Sequence, residues 1–282
     1  MKAATRLFAL LLLAGAGCRS TTAPESMRAA SASPLPAVAV SGRQDKDEDL
    51  PGVGEAPDVV LSAQPIVVSD PLEPVNRLFF QFNDKLYFWV LKPVSKGYGR
   101  IVPQSARRCV KNFFSNLATP VRLVNCALQA EFEGAWVEVE RFAINTTVGV
   151  AGFGDPAWNR WNMEKRREDF GQTLGRYGLG TSIYINWPIL GPSNVRDTAG
   201  YVGDHFLDPV NYLVPNFWHN VGVRSYETVN GTSLRVGDYE DFKEAAIDPY
   251  VSLRDAYYQY RRSQVNNGKG QAARPAGPLP TE

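Results

Sequence analysis

The chain carries few of the side chains that catalyse reactions or bind metals. Its histidines are His205 and His219, so zinc or catalytic-triad chemistry has little to draw on. Asp204 adjoins His205 but faces away from it on a predicted helix, so the pair does not indicate an acid–base site. Ser193 lies in Gly-Pro-Ser-Asn-Val, which is not the Gly-x-Ser-x-Gly of a nucleophile elbow. We therefore predict no catalytic residue, no metal site and no cofactor, and we expect a protein that is not an enzyme.

Nucleotide and nucleic-acid binding are also disfavoured. Residues 175–180, Gly-Arg-Tyr-Gly-Leu-Gly, have the wrong glycine order for a dinucleotide loop, and no Walker lysine follows a glycine run. The chain has 30 basic and 29 acidic residues, and losing Lys2 and Arg6 with a leader leaves 28 against 29, a net charge of −1. No overall field favours a polyanion. Any process driven by nucleotide hydrolysis would therefore need a partner protein.

One cysteine predicts covalent lipidation. Residues 1–17 contain two basic residues, a short apolar run and small residues that lead directly to Cys18, a pattern that resembles the lipobox of bacterial lipoproteins. The run is too short to span a bilayer comfortably. Acyl chains at ~0.8 kcal/mol per buried CH₂ would hold Cys18 on a membrane, and the Arg19-Ser20 that follows lacks the Asp that resembles an inner-membrane retention signal. An outer-membrane address is favoured; the alternative is an ordinary cleavable leader with an incidental cysteine.

The two other cysteines are candidates for a disulfide. Cys109 and Cys126 lie on neighbouring predicted helices of a protein expected in an oxidising compartment. A bridge closing the ~16-residue loop between them would contribute about 3 kcal/mol. Two buried free thiols are the alternative, and the sequence leaves both open.

Hydrophobic periodicity predicts a mainly α, single-domain protein. Residues 18–69 are rich in Ala, Ser and Pro and predict a lipidated disordered tether, 70–265 a helical domain, and 266–282 a disordered tail. The helical patterns fall at 78–90, 104–117, 121–130, 133–148, 168–177 and 195–207, and two or three further helices are expected over 217–247 and 249–264.

A glycine-rich insert at 170–197 interrupts the helices. Ile183, Ile185 and Trp187 alternate as in a short strand, and Pro188 with the Gly191-Pro192 pair predicts a turn after it. Ser193 or Asn194 would cap a helix that opens at Val195. We expect a short β-hairpin or loop here, placed as a pore loop or ligand edge would be.

Motifs spread over residues 70–260 point to a known family. In order along the chain they include Asp70-Pro-x-Glu73-x-x-Asn76-Arg77, Val102-Pro-Gln-x-Ala-Arg107, Asn112-Phe-x-x-Asn116-Leu-x-x-Pro120, Arg141-Phe-x-x-Asn145-Thr-x-x-Gly149, Gly152-Phe-x-Asp155, Phe170-Gly-x-Thr-Leu-Gly-x-Tyr-Gly-Leu-Gly180, Pro188-x-x-Gly-Pro-Ser-x-x-Arg196-Asp197, and Asp248-Pro-Tyr250 with Arg254-x-Ala-Tyr257. Together they resemble the VacJ/MlaA family of phospholipid-binding outer-membrane lipoproteins.

The resemblance implies a ring-like arrangement of amphipathic helices with an amphipathic channel. It implies a lipid-anchored protein on the periplasmic face of the outer membrane that removes mislocalised phospholipids from the outer leaflet and so maintains lipid asymmetry. The implied partners are phospholipid, a trimeric porin, and a periplasmic lipid carrier that serves an ATP-driven inner-membrane complex. The alternatives are a porin- and lipid-binding lipoprotein without transport, and a lipid hydrolase, which lacks a nucleophile constellation here.

The resemblance also implies where a lipid channel would lie. A family helix near the channel matches the segment from Asn76 to Asn83, and a pore-associated segment matches the hairpin. Arg77 either neutralises a phosphate or pairs with Glu73 at the i, i+4 position, and we favour the pair. The candidate channel residues are Arg77, Phe79, Phe82, Asn83, Gly178, Gly180, Tyr184 and Trp187.

Overall fold

The computed structural model describes residues 70–271, which are mainly helical with one short hairpin, as predicted. The predicted leader, the lipidation site Cys18, the tether to residue 69 and the tail beyond Gln271 lie outside the described residues. Over 70–271, no helix combines the length and apolar character needed to cross a membrane.

Prolines set the boundaries of the first helices. Helix α1, Glu73–Leu86, has Pro74 in its first turn, where a missing amide proton costs no hydrogen bond. A π-helical turn, Tyr87–Leu91, joins it to α2, Lys92–Ile101. Pro93 follows that turn, and a proline inside a regular helix clashes with the carbonyl four residues earlier. The wider π turn accommodates this proline, so the predicted aromatic helix continues into α2.

Five helices follow, and most begin near their predicted positions. They are α3 (Gln104–Leu117), α4 (Thr119–Leu128), α5 (Phe132–Thr147), α6 (Pro156–Trp161) and α7 (Phe170–Arg176). The bounds of α3 are those predicted, and α4 and α5 pack against each other across a short loop. Sequence reasoning missed α6 because its aromatic and glycine-rich surroundings indicate a loop. Asp155 caps α6 by accepting from the Trp158 amide at 3.2 Å.

The glycine-rich insert forms the predicted hairpin. Strand β1, Tyr184–Trp187, pairs antiparallel with β2, Gly191–Asn194. Residues 188–190 form the turn, so Pro188 lies in it as predicted, whereas the Gly191-Pro192 pair opens β2; Gly191 has φ +81°, a region that favours glycine. The Asn194 side chain accepts from the Asp197 amide at 2.8 Å, so it caps the next helix as predicted.

The remaining helices complete the described chain. They are α8 (Val195–Leu207), α9 (Pro209–Leu213), α10 (Phe217–Ser233), α11 (Asp238–Ala245) and α12 (Pro249–Gln271). The predicted stretch 217–247 forms two helices: α10 ends at Ser233, and Gly237, with φ +116°, directly precedes α11. Helix α12 continues to Gln271, so the helical region passes the predicted boundary at 265.

Besides a buried apolar core, the described residues include many buried polar side chains and many exposed apolar ones. Fully buried side chains include the polar residues Asn76, Asn125, Glu138, Gln172 and Asn230. Large apolar side chains are exposed on several helices, and the most exposed include Trp89, Ile101, Phe132, Phe206, Trp218 and Ile247. Exposed apolar surface on this scale marks contact with a membrane or another protein.

The structure does not form the proposed Cys109–Cys126 disulfide. Cys126 is a fully buried free thiol, which agrees with the alternative for this residue. Its sulfur lies 3.5 Å from the position that a Cβ atom at Gly134 on α5 would occupy. Cys126 therefore packs in the α4–α5 contact, and burial raises the pKa of its thiol to about 12.

Candidate functional site

Helix α1 holds the hairpin through a buried amide. Asn76 donates from Nδ2 to the Tyr184 carbonyl at 3.0 Å, and its Oδ1 accepts from the Asn186 amide at 2.9 Å. The same Nδ2 lies 2.9 Å from Asp70 Oδ1. A side-chain amide that bonds the C=O of one residue and the N–H two positions later takes the place of a neighbouring strand. Asn76 thereby satisfies the free edge of β1.

Asn83 repeats this contact two helical turns further along α1. Its Nδ2 donates to the Trp187 carbonyl at 2.9 Å, and its Oδ1 accepts from the Ile189 amide at 2.7 Å. Residues seven apart lie on nearly the same face of a helix. The two asparagines therefore form one clamp along the hairpin edge. Asn83, predicted as a channel residue, fixes the turn and is not among the residues that line the cavity described next.

A cavity of about 610 Å³ lies on the other side of the hairpin. The hairpin, α8, α12 and the residue that caps α7 border it. Its lining is mostly apolar and aromatic with a few charged groups, as is usual for ligand sites. The lining residues are Asp169, Trp187, Leu190, Pro192, Ser193, Asp197, Thr198, Tyr201, Asp204, Tyr257, Tyr260 and Arg261.

One arginine joins two carboxylates in the cavity wall. Arg261 Nε lies 2.7 Å from Asp197 Oδ2, and its Nη1 lies 2.6 Å from Asp169 Oδ2. Burial would raise the pKa of both aspartates, but the hydrogen bonds and charge of Arg261 outweigh it and lower both pKa values. Arg196 adds a 2.8 Å bond to Asp197 Oδ1. The cluster ties α7, α8 and α12 together beneath the cavity.

Asp204 is the third carboxylate of the wall, and its hydrogen-bond donors are neutral. It accepts from Asn125 Nδ2 at 2.8 Å and from the Phe170 amide at 3.1 Å to both oxygens. Burial raises its pKa to about 6 despite these bonds. His205, its neighbour in sequence, instead contacts Asn211, so the two side chains do not act as a pair.

The predicted channel residues separate into those near the cavity and those away from it. Trp187 lines the cavity, and its Nε1 donates to Thr198 Oγ1 at 3.0 Å. Tyr184 is 0% exposed and packs against Tyr250, with ring centroids 6.1 Å apart. Its hydroxyl has no hydrogen-bond partner among the described residues. Tyr184 therefore supports the hairpin from the protein interior and does not line this cavity.

Arg77 forms the predicted ion pair. Its Nε lies 2.7 Å from Glu73 Oε1, its Nη2 lies 2.8 Å from Asp248 Oδ2, and its guanidinium sits 4.5 Å from the centre of the Tyr250 ring. Two carboxylates already neutralise it. In this structure Arg77 links α1 to the start of α12, which supports the structural pair over phosphate binding.

The other predicted positions lie outside the cavity lining. Phe82 is largely exposed on α1, and Phe79 is half-buried. Gly178 has φ +95°, which favours glycine, and a side chain at Gly178 or Gly180 would meet open space. These glycines shape the segment before β1.

Sequence reasoning missed most of the cavity wall. Asp197 and Tyr257 were within family motifs, which was a usable signal, but they were not selected. Asp169, Asp204 and Arg261 carried no local signal of a shared site.

A second polar cluster lies between α5 and α6 and is closed. Arg141 Nη2 lies 3.0 Å from Asp155 Oδ1, and Asn145 Nδ2 lies 2.9 Å from the same oxygen. Nearby, Arg122 Nε contacts Glu138 Oε2 at 2.8 Å. The space beside these groups is only about 10 Å³, room for about one water molecule. This cluster holds helices together and does not form a ligand site.

A clamped hairpin, an open aromatic cavity and many exposed apolar side chains define a helical protein that contacts a membrane or another protein. The chain belongs to the MlaA lipoprotein family, whose model matches residues 68–264. The family resemblance predicted from the motifs is confirmed.

Named relatives and a solved structure agree with this assignment. The intermembrane phospholipid transport system lipoprotein MlaA of Escherichia coli K12 is 34% identical over 205 residues, 71% of this chain and 80% of that protein. The protein of the same name from Haemophilus influenzae is 33% identical over 210 residues, 71% of this chain and 81% of that protein. A structure solved to explain how bacterial outer membrane lipid asymmetry is maintained has a TM-score of 0.63 and 32% identity, and covers 70% of this chain and 100% of that one.

Proposed function

We propose that the protein removes mislocalised phospholipids from the outer leaflet of the outer membrane and passes them to a periplasmic carrier. Through this transport it would maintain lipid asymmetry. The observation that carries the proposal is the cavity of about 610 Å³, where aromatic and apolar side chains face a small set of charged groups. Such a lining matches an amphipathic ligand, which has an apolar body and a polar end.

The energetic problem of lipid extraction is solved here without covalent chemistry. A phospholipid with two acyl chains buries on the order of 30 methylenes, so moving it into water at ~0.8 kcal/mol each costs over ~20 kcal/mol. A cavity that keeps a polar headgroup on charged groups while the chains stay on apolar surface lowers that barrier. The protein acts as a passage and not as an enzyme, and the direction of flow follows the gradient that its partners maintain.

The proposed location is the periplasmic face of the outer membrane, with Cys18 as the lipid anchor. Exposed aromatic and aliphatic side chains, among them Trp89, Phe132 and Trp218, support contact with the membrane core or with a trimeric porin. The recipient would be a soluble carrier that serves an ATP-driven inner-membrane complex.

The proposal is tested by measuring outer-leaflet phospholipid in the native host with an impermeant amine-reactive label. Deletion of the gene should raise labelling, and the wild-type gene should reverse the rise. Cys18→Ala should fail to reverse it because the anchor is lost, and Ser193→Phe should fail because the new ring fills the cavity. Ser263→Phe, an equal change on an exposed face of α12, is the control and should restore asymmetry.

A structural lipoprotein that binds porin and lipid without moving lipid is the alternative. The extensive exposed apolar surface favours it, because that surface alone would explain membrane and porin contact. Under this alternative Ser193→Phe complements as well as wild type does. That result would contradict transport through the cavity.

A further inference from the structure

We propose that the cavity selects phospholipids with a cationic amine in the headgroup, and that Asp204 together with the surrounding aromatic rings binds the ammonium. The inference rests on the proposed function and names its substrate class. An ethanolamine headgroup is the expected ligand, and an anionic glycerol headgroup is the class that the cavity disfavours.

The charges of the wall are unbalanced toward negative. The charged residues that line the cavity are Asp169, Asp197, Asp204 and Arg261, and Arg196 pairs with Asp197 from behind. Three carboxylates against two guanidiniums leave a net charge of −1. A headgroup with a net negative charge would meet like charge in a partly buried site, which is unfavourable. A zwitterionic headgroup adds no net charge and brings a cation.

Arg261 has no donor left for a lipid phosphate. A guanidinium has five N–H groups. Arg261 makes five hydrogen bonds: Nε and Nη2 donate to Asp197, Nη1 and Nη2 donate to Asp169, and Nη1 donates to Gln264. Among the described residues that line the cavity, Arg261 is the one cation, and all its donors are committed to the fold, so no guanidinium there is free to bind a phosphate.

Asp204 has the acceptor capacity that the other two carboxylates have used. Asn125 and the Phe170 amide both bond its Oδ1, whereas Oδ2 receives only the shared Phe170 amide at 3.1 Å. A carboxylate oxygen accepts two hydrogen bonds, so Oδ2 retains room for an N–H donor. No side-chain cation within residues 70–266 lies in hydrogen-bond or ion-pair contact with Asp204. Arg261 acts on Asp204 only at a distance, and an ammonium in the cavity would supply a cation in direct contact with it.

The aromatic part of the lining suits the same cation. Trp187, Tyr201, Tyr257 and Tyr260 all border the cavity. The faces of such rings attract ammonium groups and also cover the carbons beside the nitrogen. Trp187 is held by Thr198, and the Tyr257 hydroxyl donates to Asp197, so two of the rings are fixed before a ligand arrives. A carboxylate beside several rings is a pre-formed amine site.

The test is a competition between headgroups with identical acyl chains. Full-length lipidated protein in detergent is incubated with an equimolar mixture of phosphatidylethanolamine and phosphatidylglycerol, and bound lipid is quantified by mass spectrometry. Wild type should retain the ethanolamine lipid at least about threefold over the glycerol lipid. Asp204→Asn removes the charge and leaves one oxygen that can still accept from Asn125 and the Phe170 amide, and it should bring the ratio close to one through lower retention of the ethanolamine lipid.

Two further variants keep the result interpretable. Asp255→Asn, on a more exposed part of α12 outside the lining, is the matched control and should keep the wild-type ratio. Tyr201→Leu removes one exposed aromatic ring of the lining and replaces Asp204→Asn as the test if that variant does not fold. It should lower the ratio of ethanolamine to glycerol lipid.

The outcomes separate the inference from the proposed function. Equal retention of both lipids by wild type overturns amine selection and leaves lipid binding intact. An unchanged ratio in Asp204→Asn, or in Tyr201→Leu when it replaces that variant, also overturns the site. Failure of wild type to bind either lipid overturns the proposed function itself.

Discussion

The cavity wall and the closed α5–α6 cluster use the same residue types for different purposes. Both bury arginine–aspartate pairs, Arg261 with Asp169 and Asp197 in one and Arg141 with Asp155 in the other. The first borders about 610 Å³ of open space and the second about 10 Å³. Charged pairs beside a cavity keep access to water and ligand, whereas enclosed pairs serve only the packing of helices. A buried ion pair is therefore not a functional site unless space adjoins it.

The largest effect is expected in the closed cluster. Arg141→Met leaves Asp155 without the cation it pairs with, beside a space with room for about one water molecule; because the Asp155 side chain is 26% exposed, the free energy of unfolding should fall by about 3 kcal/mol, the low end for a broken buried pair. Denaturant unfolding of the detergent-solubilised protein measures it. Glu133→Ala, at an exposed position of α5, is the control and should change stability little. A loss below about 1 kcal/mol for Arg141→Met would contradict the structural role of this cluster.

The equivalent change in the cavity wall should cost less. Arg261→Met leaves the buried Asp197 with Arg196 and Tyr257 as donors, and Asp169, whose side chain is a third exposed, can be hydrated from the cavity. We expect the free energy of unfolding to fall by about 2–3 kcal/mol, which is less than for Arg141→Met. The same unfolding experiment decides it. Equal losses in the two variants would remove the distinction between open and closed clusters.

In the hairpin clamp, too, the loss of stability should be larger for the buried asparagine than for the exposed one. Asn76→Ala leaves the buried Tyr184 carbonyl and Asn186 amide without the side chain that bonds them. The free energy of unfolding should therefore fall by about 2 kcal/mol. Asn83→Ala frees backbone groups that water reaches, so stability should fall by only about 1 kcal/mol. Restoration of outer-leaflet asymmetry should nevertheless drop with Asn83→Ala because the turn beside the cavity loosens. Full restoration would show that the clamp at Asn83 does not matter for transport.

The smallest effect is the pH dependence of the cavity wall. Asp169 and Asp197 have lowered pKa values in the folded protein, because Arg261 outweighs the effect of burial. Their contribution to stability is therefore present above the usual aspartate pKa and is lost as the pH falls below about 4. Unfolding curves from pH 7 to pH 3 should show this decline. Arg261→Met should flatten it, and an unchanged decline in that variant would assign the effect to other carboxylates.

Local features of the fold were predictable because their causes are local. The bounds of α3 follow from apolar spacing and from Pro103, and the start of α8 follows from the capping side chain of Asn194. Helix α6 was missed because Asp155 caps a short segment whose glycines and tryptophans indicate a loop. The disulfide was left open in the sequence, and the structure instead packs Cys126 as a free thiol against α5.

The sequence by itself determined the class of protein: a mainly helical chain with a glycine-rich hairpin and the motifs of one family. Only the tertiary structure decided which residues share a site. Asp169 and Arg261 are 92 positions apart, and Asn83 meets Trp187 across 104 positions. Caps, prolines and periodicity act within a few residues and therefore leave their mark on the sequence. Contacts between distant segments depend on how the helices pack, and no short pattern records them.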